Sequence, residues 1–240
     1  MKPKVVFENN RVIAAFSTKK SGHLGFKNNS TNFLKKNRIK FLEKIQIPYK
    51  NLVCAKQTHG ANVFCVTGKD KSSGALDYEN AINNTDSLIT NRRNIPLAVF
   101  TADCLSIFLY DPKKSAVGIV HAGWRSTKAL IAKKTVFKMK QHFKTKPEDL
   151  ICYFGPAIKP CCYQVGKDFK RYFPKATKKR NNNFYLDLVK VNKNQLLNSG
   201  VKKDKIFDSQ VCTSCDNDRF FSYRKEKENA GRIMSVIMLK

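Results

Sequence analysis

The chain has 240 residues, of which 42% are hydrophobic and 27% charged, and its formal net charge at pH 7 is +28. This apolar share is typical of a globular protein and argues against disorder over the whole chain. No apolar run reaches the roughly 20 residues that a membrane-spanning helix needs, and the basic start MKPKVVFENN lacks the long apolar segment of a secretory signal. We therefore expect a cytoplasmic protein.

The positive charge would attract anionic partners. The lysines are spread along the chain rather than gathered in one arm, and no known nucleic-acid-binding motif is present. We expect nucleic-acid binding that is at most non-specific, and a preference for an anionic substrate. The eight cysteines are best interpreted as thiols, ligands or nucleophiles, with Cys65 and Cys152 as core residues of strands.

The first third of the chain predicts a hairpin and then a helix. Residues 4–17 alternate and contain a Glu-Asn-Asn break, which is typical of a β-hairpin. Residues 30–45 predict a helix with Ser30 or Thr31 as its cap. The apolar stripe of this helix consists of Leu34, Phe41, Leu42 and Ile45.

The remainder predicts strands interspersed with helices. The expected strands are 51–56, 62–67, 86–90, 97–102, 105–111, 116–122, 150–155 and 232–240. The expected helices are 126–143, capped near Ser126 or Thr127, then 168–173, and 186–200, which is stopped by Gly200. Residues 174–183 predict an exposed loop. This order favours one domain over residues 1–240, of mixed α/β class, as a layered sandwich with a mixed β-sheet core flanked by helices.

Three residues that can bind metal fall at predicted strand ends or breaks, where α/β proteins place their sites. They are His59 in KQTHG, Cys104 in TADC and His121 in VHAGWRS. Two imidazoles and a thiolate suit zinc and are acceptable for copper, and three protein ligands leave a position open for catalysis. The alternative is two satisfied histidines and a buried thiol, because spacing alone does not show that these residues meet.

The same residues also suit nucleophilic catalysis. Cys104 could be a nucleophile with His121 or His59 as its base. Asp103 could orient a histidine or accept a proton, or it could interrupt a buried strand and pair with Arg125.

The segment after His121 predicts an anion site. Arg125 offers a bidentate clamp, and a helix beginning near Ser126 offers backbone amides and a dipole. Trp124 could belong to this functional turn or could simply pack in the core, and the sequence favours the two equally.

The Cys-Thr-Ser-Cys segment at 212–215 suggests a zinc ribbon or a redox motif. The cysteines of 160–162 have the wrong spacing for the second half of a ribbon. The segment also resembles a loop rather than the start of a helix, so neither interpretation is favoured.

Taken together, the blocks KQTHG, NTDSLIT, TADC, VHAGWRS, GPAIKPCCYQVG and FFSYRKE resemble the YfiH family. This family is also called laccase-domain or multicopper polyphenol oxidase proteins, and its members are described as zinc-dependent purine nucleoside phosphorylases. The resemblance implies a layered αβ fold. It also implies a zinc ion held by His59, Cys104 and His121.

The family's activity implies cleavage of adenosine, inosine, guanosine or methylthioadenosine by phosphate, and deamination of adenosine. On that basis we expect Asp103, Cys104 and His121 to be catalytic. Candidates for binding substrate or phosphate are Lys19, Gln57, Arg125 and Arg224. The segment FSTKKSGHLG departs from the family's Thr-Arg-x-Gly-Gly block, with Lys19 for the arginine and Ser21 for the first glycine. Lysine can bind phosphate as a point charge but cannot form the paired hydrogen bonds of an arginine. We therefore expect this departure to affect substrate affinity and substrate choice.

Three other functions are compatible with the sequence. A copper oxidase acting on phenols is disfavoured, since a multicopper centre needs many histidines and the chain has four. A Cys-His amidohydrolase in peptidoglycan precursor editing is the second, because such a role has been attributed to a family member. The third is a non-catalytic, RNA-associated basic protein. We expect a monomer.

Overall fold

The computed structural model describes residues 4–26 and 31–240, which form fourteen β-strands and six α-helices. In chain order the strands are β1 (Lys4–Glu8), β2 (Val12–Phe16), β3 (Val53–Cys54), β4 (Val63–Cys65), β5 (Ser87–Thr90), β6 (Leu97–Thr101), β7 (Leu105–Asp111), β8 (Ala116–Ala122), β9 (Ile151–Phe154), β10 (Gln164–Val165), β11 (Thr177–Arg180), β12 (Asn183–Leu186), β13 (Ile206–Asp208) and β14 (Ile233–Leu239). The helices are α1 (Thr31–Lys44), α2 (Trp124–Lys128), α3 (Ile131–Phe143), α4 (Phe169–Tyr172), α5 (Leu188–Asn198) and α6 (Tyr223–Glu226).

The strands form two large mixed sheets and a small one. The first large sheet has the order β1-β2-β14-β6-β3, the second β13-β9-β7-β8-β5-β4, and the small sheet β10-β12-β11. Both large sheets combine orientations, since β3 runs parallel to β6 and β13 parallel to β9, whereas β7 and β8 are antiparallel. The predicted α/β class with a mixed sheet core is confirmed.

The two large sheets pack face to face, with helices on the outer faces. Alternation along β7 shows this arrangement, because side chains of successive residues point to opposite faces of a sheet. Ile107 and Leu109 pack toward α3 and α5, whereas Phe108 and Tyr110 pack between the two sheets. On the far side, α1 covers the first sheet with Phe41, Leu42 and Ile45. The order of layers is therefore helix, sheet, sheet, helix.

Most predicted elements are present. The β1–β2 pair is an antiparallel hairpin, all eight predicted strands contain an observed one, and the stripe of α1 is buried. Gly200, with φ +95, follows α5. Of the two expected caps of α1, Ser30 and the side chain of Thr31 lie outside the described residues. Among the described residues, none of the helices has the length and apolar character required to cross a membrane.

Three local predictions were wrong. The helix expected over 126–143 is two helices, because Leu130 adopts φ +65 between α2 and α3, and α2 begins at Trp124 with Gly123 as its cap. The loop expected over 174–183 contains β11 and the start of β12, joined by Asn181 and Asn182, both with positive φ, as a tight hairpin turn requires. Cys65, expected in the core, is only half-buried.

Candidate active site

His59, Cys104 and His121 come together at one end of the two large sheets. Their ligand atoms all lie within 4.8 Å of one another, with Cys104 Sγ 3.9 Å from His59 Nε2 and the two imidazole rings 4.7 Å apart between centroids. His59 follows β3, Cys104 lies in the turn between β6 and β7, and His121 lies near the end of β8. The sheet topology thus joins ligands that are distant in sequence.

The carboxylate of Asp86 holds both histidines in place. Asp86 is fully buried just before β5. Its Oδ1 lies 2.7 Å from His121 Nδ1 and accepts from the His59 amide at 3.0 Å, while Oδ2 accepts from the Gly60 amide at 2.8 Å. These bonds fix the loop in which His59 adopts φ +58. A carboxylate on Nδ1 orients a histidine to present Nε2 as a ligand.

Cys104 and His121 shift each other's pKa. Burial raises the pKa of Cys104, but the neighbouring charge and hydrogen bonds of His121 and His59 outweigh it and lower that pKa to about 6. Burial lowers the pKa of His121, but the charges and hydrogen bonds of Cys104 and Asp86 raise it to about 9. With its pKa of about 6, Cys104 is a thiolate at neutral pH. The thiolate is the form of cysteine that binds metals and acts as a nucleophile.

Gly123 leaves the space that this cluster needs. A Cβ at this position would lie 2.9 Å from His59 Cδ2 and 3.1 Å from Cys104 Sγ, so a larger residue would push the ligands apart. Two imidazoles and a thiolate around a compact space match the three-ligand pattern of catalytic zinc sites. The residues present therefore fit a metal ion.

The cluster lies in the wall of a cavity of about 1000 Å³. One side of the cavity is aromatic, with Phe26 packed against Tyr78 and Phe100 at centroid distances of 4.9 and 5.3 Å. The lining also carries five cationic side chains, which are Lys35, Arg38, Arg125, Arg224 and Arg232. A flat apolar ring and an anion could both be accommodated here.

Comparison with known proteins places the chain in a family. The sequence profile described as multi-copper polyphenol oxidoreductase laccase matches residues 15–240, and a crystal structure of the Bacillus licheniformis hypothetical protein YfiH superposes with a TM-score of 0.92, at 31% identity over 98% of this chain and 99% of that chain. The chain belongs to the YfiH family.

Two relatives of this YfiH-family chain carry names that state an activity. One is purine nucleoside phosphorylase YlmD of Bacillus subtilis, which is 33% identical over 97% of this chain and 90% of its own length. The other is adenosine deaminase RL5 from an unknown prokaryotic organism, which is 30% identical over 85% of this chain and 80% of its own. Proteins similar to the YfiH-family chain therefore act on purine nucleosides.

Asp103 lies in the cavity wall, but its partners differ from the one expected. Its Oδ1 accepts from Thr213 Oγ1 and its Oδ2 from the Arg224 amide, both at 2.6 Å, so the suggested pairing with Arg125 is wrong. Asp103 also adopts φ +85. A non-glycine residue in that region is strained, and such strain clusters at functional sites.

The two predicted anion-binding arginines both line the cavity. Arg125 is exposed and stacks its guanidinium 4.3 Å from the ring centroid of Trp124. Its side chain makes no hydrogen bond or ion pair with the described residues. Arg224 donates to the carbonyls of Cys162 and Gln164, which holds it against the wall. Trp124 lines the cavity and packs against the core, with its ring centroid 5.0 Å from that of Phe169.

The amide site expected at the start of α2 has no supporting contact. The helix is five residues long, and the Gly123 amide donates to Ser126 Oγ at 2.9 Å. That amide is satisfied within the turn. Arg125 is therefore the part of the predicted anion site that the structure makes available.

Gln57 and Lys19 have structural partners. The Gln57 side-chain amide donates to the Phe100 carbonyl and accepts from the Phe100 amide, at 2.9 and 2.7 Å, so it ties the His59 loop to β6 at the cavity. Lys19 pairs with Glu226 at 3.0 Å and is not among the residues that line the cavity. Their roles in substrate binding stay predictions.

Sequence reasoning missed several residues of this site, among them Asp86, Tyr163 and Arg38. Asp86 was assigned only to a strand, although an acid directly before an apolar strand is a signal of a buried, paired carboxylate. Tyr163 lines the cavity, and burial raises its pKa, so its hydroxyl stays a donor at neutral pH. Arg38 lines the cavity from within α1, and its position among many lysines gave no signal.

Proposed function

We propose that this protein is a zinc-dependent purine nucleoside phosphorylase that cleaves adenosine, inosine, guanosine or methylthioadenosine with phosphate. The observation that carries the proposal is the convergence of His59, Cys104 and His121 in the wall of a cavity of about 1000 Å³. The relatives named purine nucleoside phosphorylase support the substrate class.

His59, Cys104 and His121 would hold the metal, and Asp86 positions the two histidines. When bound, zinc supplies a Lewis acid that can polarise a phosphate oxygen or activate water. A multicopper centre is disfavoured because it needs many histidines, whereas the cluster contains two and the other two histidines of the chain lie elsewhere. His23 Nδ1 accepts from the Gly25 and Arg232 amides, and His142 is exposed on α3.

The cavity offers separate surfaces for base and phosphate. The aromatic side formed by Phe26, Tyr78 and Phe100 suits the face of a purine. Arg125 is the candidate clamp for phosphate, because its guanidinium is stacked in place by Trp124 and makes no hydrogen bond or ion pair with the described residues. The overall charge of +28 favours arrival of the anion.

In phosphorolysis, a phosphate oxygen forms a bond to the anomeric carbon while the bond from that carbon to the purine nitrogen breaks. The purine leaves with the electron pair and takes up a proton, while the attacking dihydrogen phosphate gives one up. Asp103 is our candidate for passing that proton from phosphate to purine, since each of its oxygens accepts one hydrogen bond and a carboxylate oxygen can accept two. The Thr213 hydroxyl and the Arg224 amide hold the carboxylate while it acts.

Deamination of adenosine is a further activity of the same site. The relative named adenosine deaminase RL5 supports it. In that reaction water attacks the purine carbon that carries the amino group, and the carbon–nitrogen bond to that group breaks with release of ammonia. It would use the same cluster with the nucleoside shifted so that its base, rather than its sugar, faces the three residues.

The test resolves the products formed from adenosine, inosine and methylthioadenosine by purified protein of known zinc content, with and without phosphate. We expect release of free base that requires phosphate. In His121→Ala we expect loss of base release and of the zinc ion held by the three-ligand site. His142→Ala is the matched control and should keep both, because His142 is exposed and distant from the cluster. Absence of base release from fully zinc-loaded protein would contradict the proposal for these nucleosides.

A Cys-His amidohydrolase acting on peptidoglycan precursors is the second candidate. The low pKa of Cys104 beside the high pKa of His121 favours it, because this is the arrangement of an activated thiolate. Alkylation of Cys104 with iodoacetamide distinguishes the phosphorylase from the amidohydrolase. In the phosphorylase, bound zinc should protect Cys104. In the amidohydrolase, Cys104 would react even with zinc present, and activity would be lost.

A further inference from the structure

A second cluster of cysteines lies apart from the three-ligand site. The Sγ atoms of Cys161, Cys162, Cys212 and Cys215 all lie within 4.8 Å of one another. The first two follow β9 and the other two follow β13, and these strands pair in parallel. Beyond the strands, a bridge between Ala157 and Cys212 continues the pairing, so two distant segments meet.

The spacing that argued against a zinc ribbon does not prevent a four-thiol site. An adjacent pair of cysteines and a Cys-x-x-Cys turn supply the four sulfurs, and the parallel strands bring them together. The spacing argument concerned only the second half of a zinc ribbon. It does not apply to a site assembled from two segments that meet across paired strands.

The distances suit a metal ion. Zinc–sulfur bonds of about 2.3 Å in a tetrahedron place neighbouring sulfurs about 3.8 Å apart. Cys215 Sγ lies 3.5 Å from Cys161 Sγ and 3.3 Å from Cys162 Sγ, well beyond the roughly 2.05 Å of a disulfide bond. All four thiols can therefore reach one ion with small adjustments and no sulfur–sulfur bond.

The surroundings suit a negatively charged centre. Four thiolates and one divalent cation have a net charge of −2, which nearby donors and cations can stabilise. The Lys159 amide donates to Cys212 Sγ at 3.4 Å. Two guanidinium groups anchor the same segment, with Arg180 on the Cys161 carbonyl at 3.1 Å and Arg224 on the Cys162 carbonyl at 3.2 Å.

We propose that Cys161, Cys162, Cys212 and Cys215 bind a second zinc ion, which is structural. Four protein ligands leave no open position, which is the pattern of structural rather than catalytic zinc. The ion fixes the turn that carries Thr213, whose hydroxyl bonds Asp103, and the segment whose carbonyls hold Arg224. This inference rests on the cysteine geometry and does not require the proposed function.

The test is the zinc content of the whole protein, purified with a reductant and no chelator. We expect two zinc ions per chain in the natural sequence and one in C161S/C215S. Both replaced cysteines are exposed, so we expect the fold to persist. Cys65→Ser is the matched control, since it removes a half-buried cysteine from outside the cluster, and it should keep two.

A second measurement does not depend on that variant. His121→Ala removes a ligand of the other centre, and after replacement of zinc by cobalt it should still show the intense visible bands of a tetrahedral cobalt thiolate. The same zinc content in C161S/C215S as in the natural sequence would overturn the proposal. So would cobalt-loaded His121→Ala without thiolate bands, or a mass showing these cysteines in disulfide bonds. Two zinc ions in a protein that releases no base would leave this site standing and contradict only the proposed function.

Discussion

Asp86 connects the histidines of the three-ligand site through one buried carboxylate. It contacts the His121 ring and the amides of His59 and Gly60. Asp86→Asn removes the charge and one acceptor oxygen, so His121 is held less firmly with Nε2 as its ligand atom. Loss of such a supporting partner lowers metal affinity about 10- to 100-fold. Competition with a chromophoric zinc chelator measures this decrease.

Asp111 provides the matched control for that substitution. It is also fully buried, but it accepts from the Lys113 and Lys114 amides at the far end of β7. Asp111→Asn should leave zinc affinity unchanged. Equal affinities in both variants and the natural sequence would show that Asp86 does not support the metal site.

Protons compete with zinc for Cys104 and His121. In the metal-free site, the pKa of Cys104 is lowered to about 6 and that of His121 is raised to about 9. Between these values the thiol has already lost its proton and the imidazole still carries one, so zinc displaces one proton from the pair. Zinc affinity should therefore rise about tenfold per pH unit from about pH 7 to about pH 9, and depend more steeply on pH below about 6.

Competition with a zinc chelator, repeated from about pH 7 to about pH 9, measures how zinc affinity depends on pH. Each measurement must be corrected for protonation of the chelator itself. An affinity that is constant from about pH 7 to about pH 9 would contradict the protonated state assigned to His121.

At the scale of elements, the junction between β8 and α2 determines the shape of the site. Gly123 caps α2, and a Cβ there would crowd His59 and Cys104. Overpacking costs about 1–3 kcal/mol, and because His59 is exposed, it can yield without unfolding the sheets. Gly123→Ala should therefore lower zinc affinity by about tenfold or more, with little change in thermal stability.

The control for the junction is Gly68→Ala. A Cβ at Gly68 meets no atom within 4 Å, so the same substitution there should change neither property. Calorimetry and zinc competition on both variants measure the two effects. If Gly123→Ala bound zinc as tightly as Gly68→Ala, the space beside Gly123 would not be needed by the ligands.

The elements that sequence patterns predicted are the buried ones. Strands such as β7 and β8 are apolar and bounded by turns, so both hydrophobicity and propensity indicate them. Strand β11 carries Lys178, Lys179 and Arg180 as exposed residues. Because these residues are all polar, no apolar pattern indicates a strand there. The break at Leu130 was missed because leucine is a helix former and rarely adopts positive φ.

The same contrast applies to the candidate site. His59, Cys104 and His121 were predictable because each is a rare, reactive residue type at a strand end. The four-cysteine cluster was not, because it depends on the parallel pairing of β13 with β9, which no local pattern reports. Likewise, the partners of Asp103 lie more than a hundred residues away, at Thr213 and Arg224.

At the scale of the whole molecule, the dominant property is the charge of +28. A dispersed positive surface binds polyanions through counterion release, without sequence preference. Binding to two unrelated labelled oligonucleotides should therefore be equal, should fall steeply as salt rises, and should be unchanged in His121→Ala. Fluorescence anisotropy over a salt series measures this, and a preference for one sequence that persists at high salt would indicate a dedicated nucleic-acid site.

The central claim is that phosphate, rather than water, cleaves the nucleoside at the three-ligand site. Phosphorus NMR of zinc-loaded protein with inosine and inorganic phosphate tests it most directly, because it observes the phosphate itself. We predict a sugar 1-phosphate signal that grows in step with free hypoxanthine and is absent with His121→Ala. Hypoxanthine formed while the phosphate signal stays unchanged would contradict the claim and show hydrolysis instead.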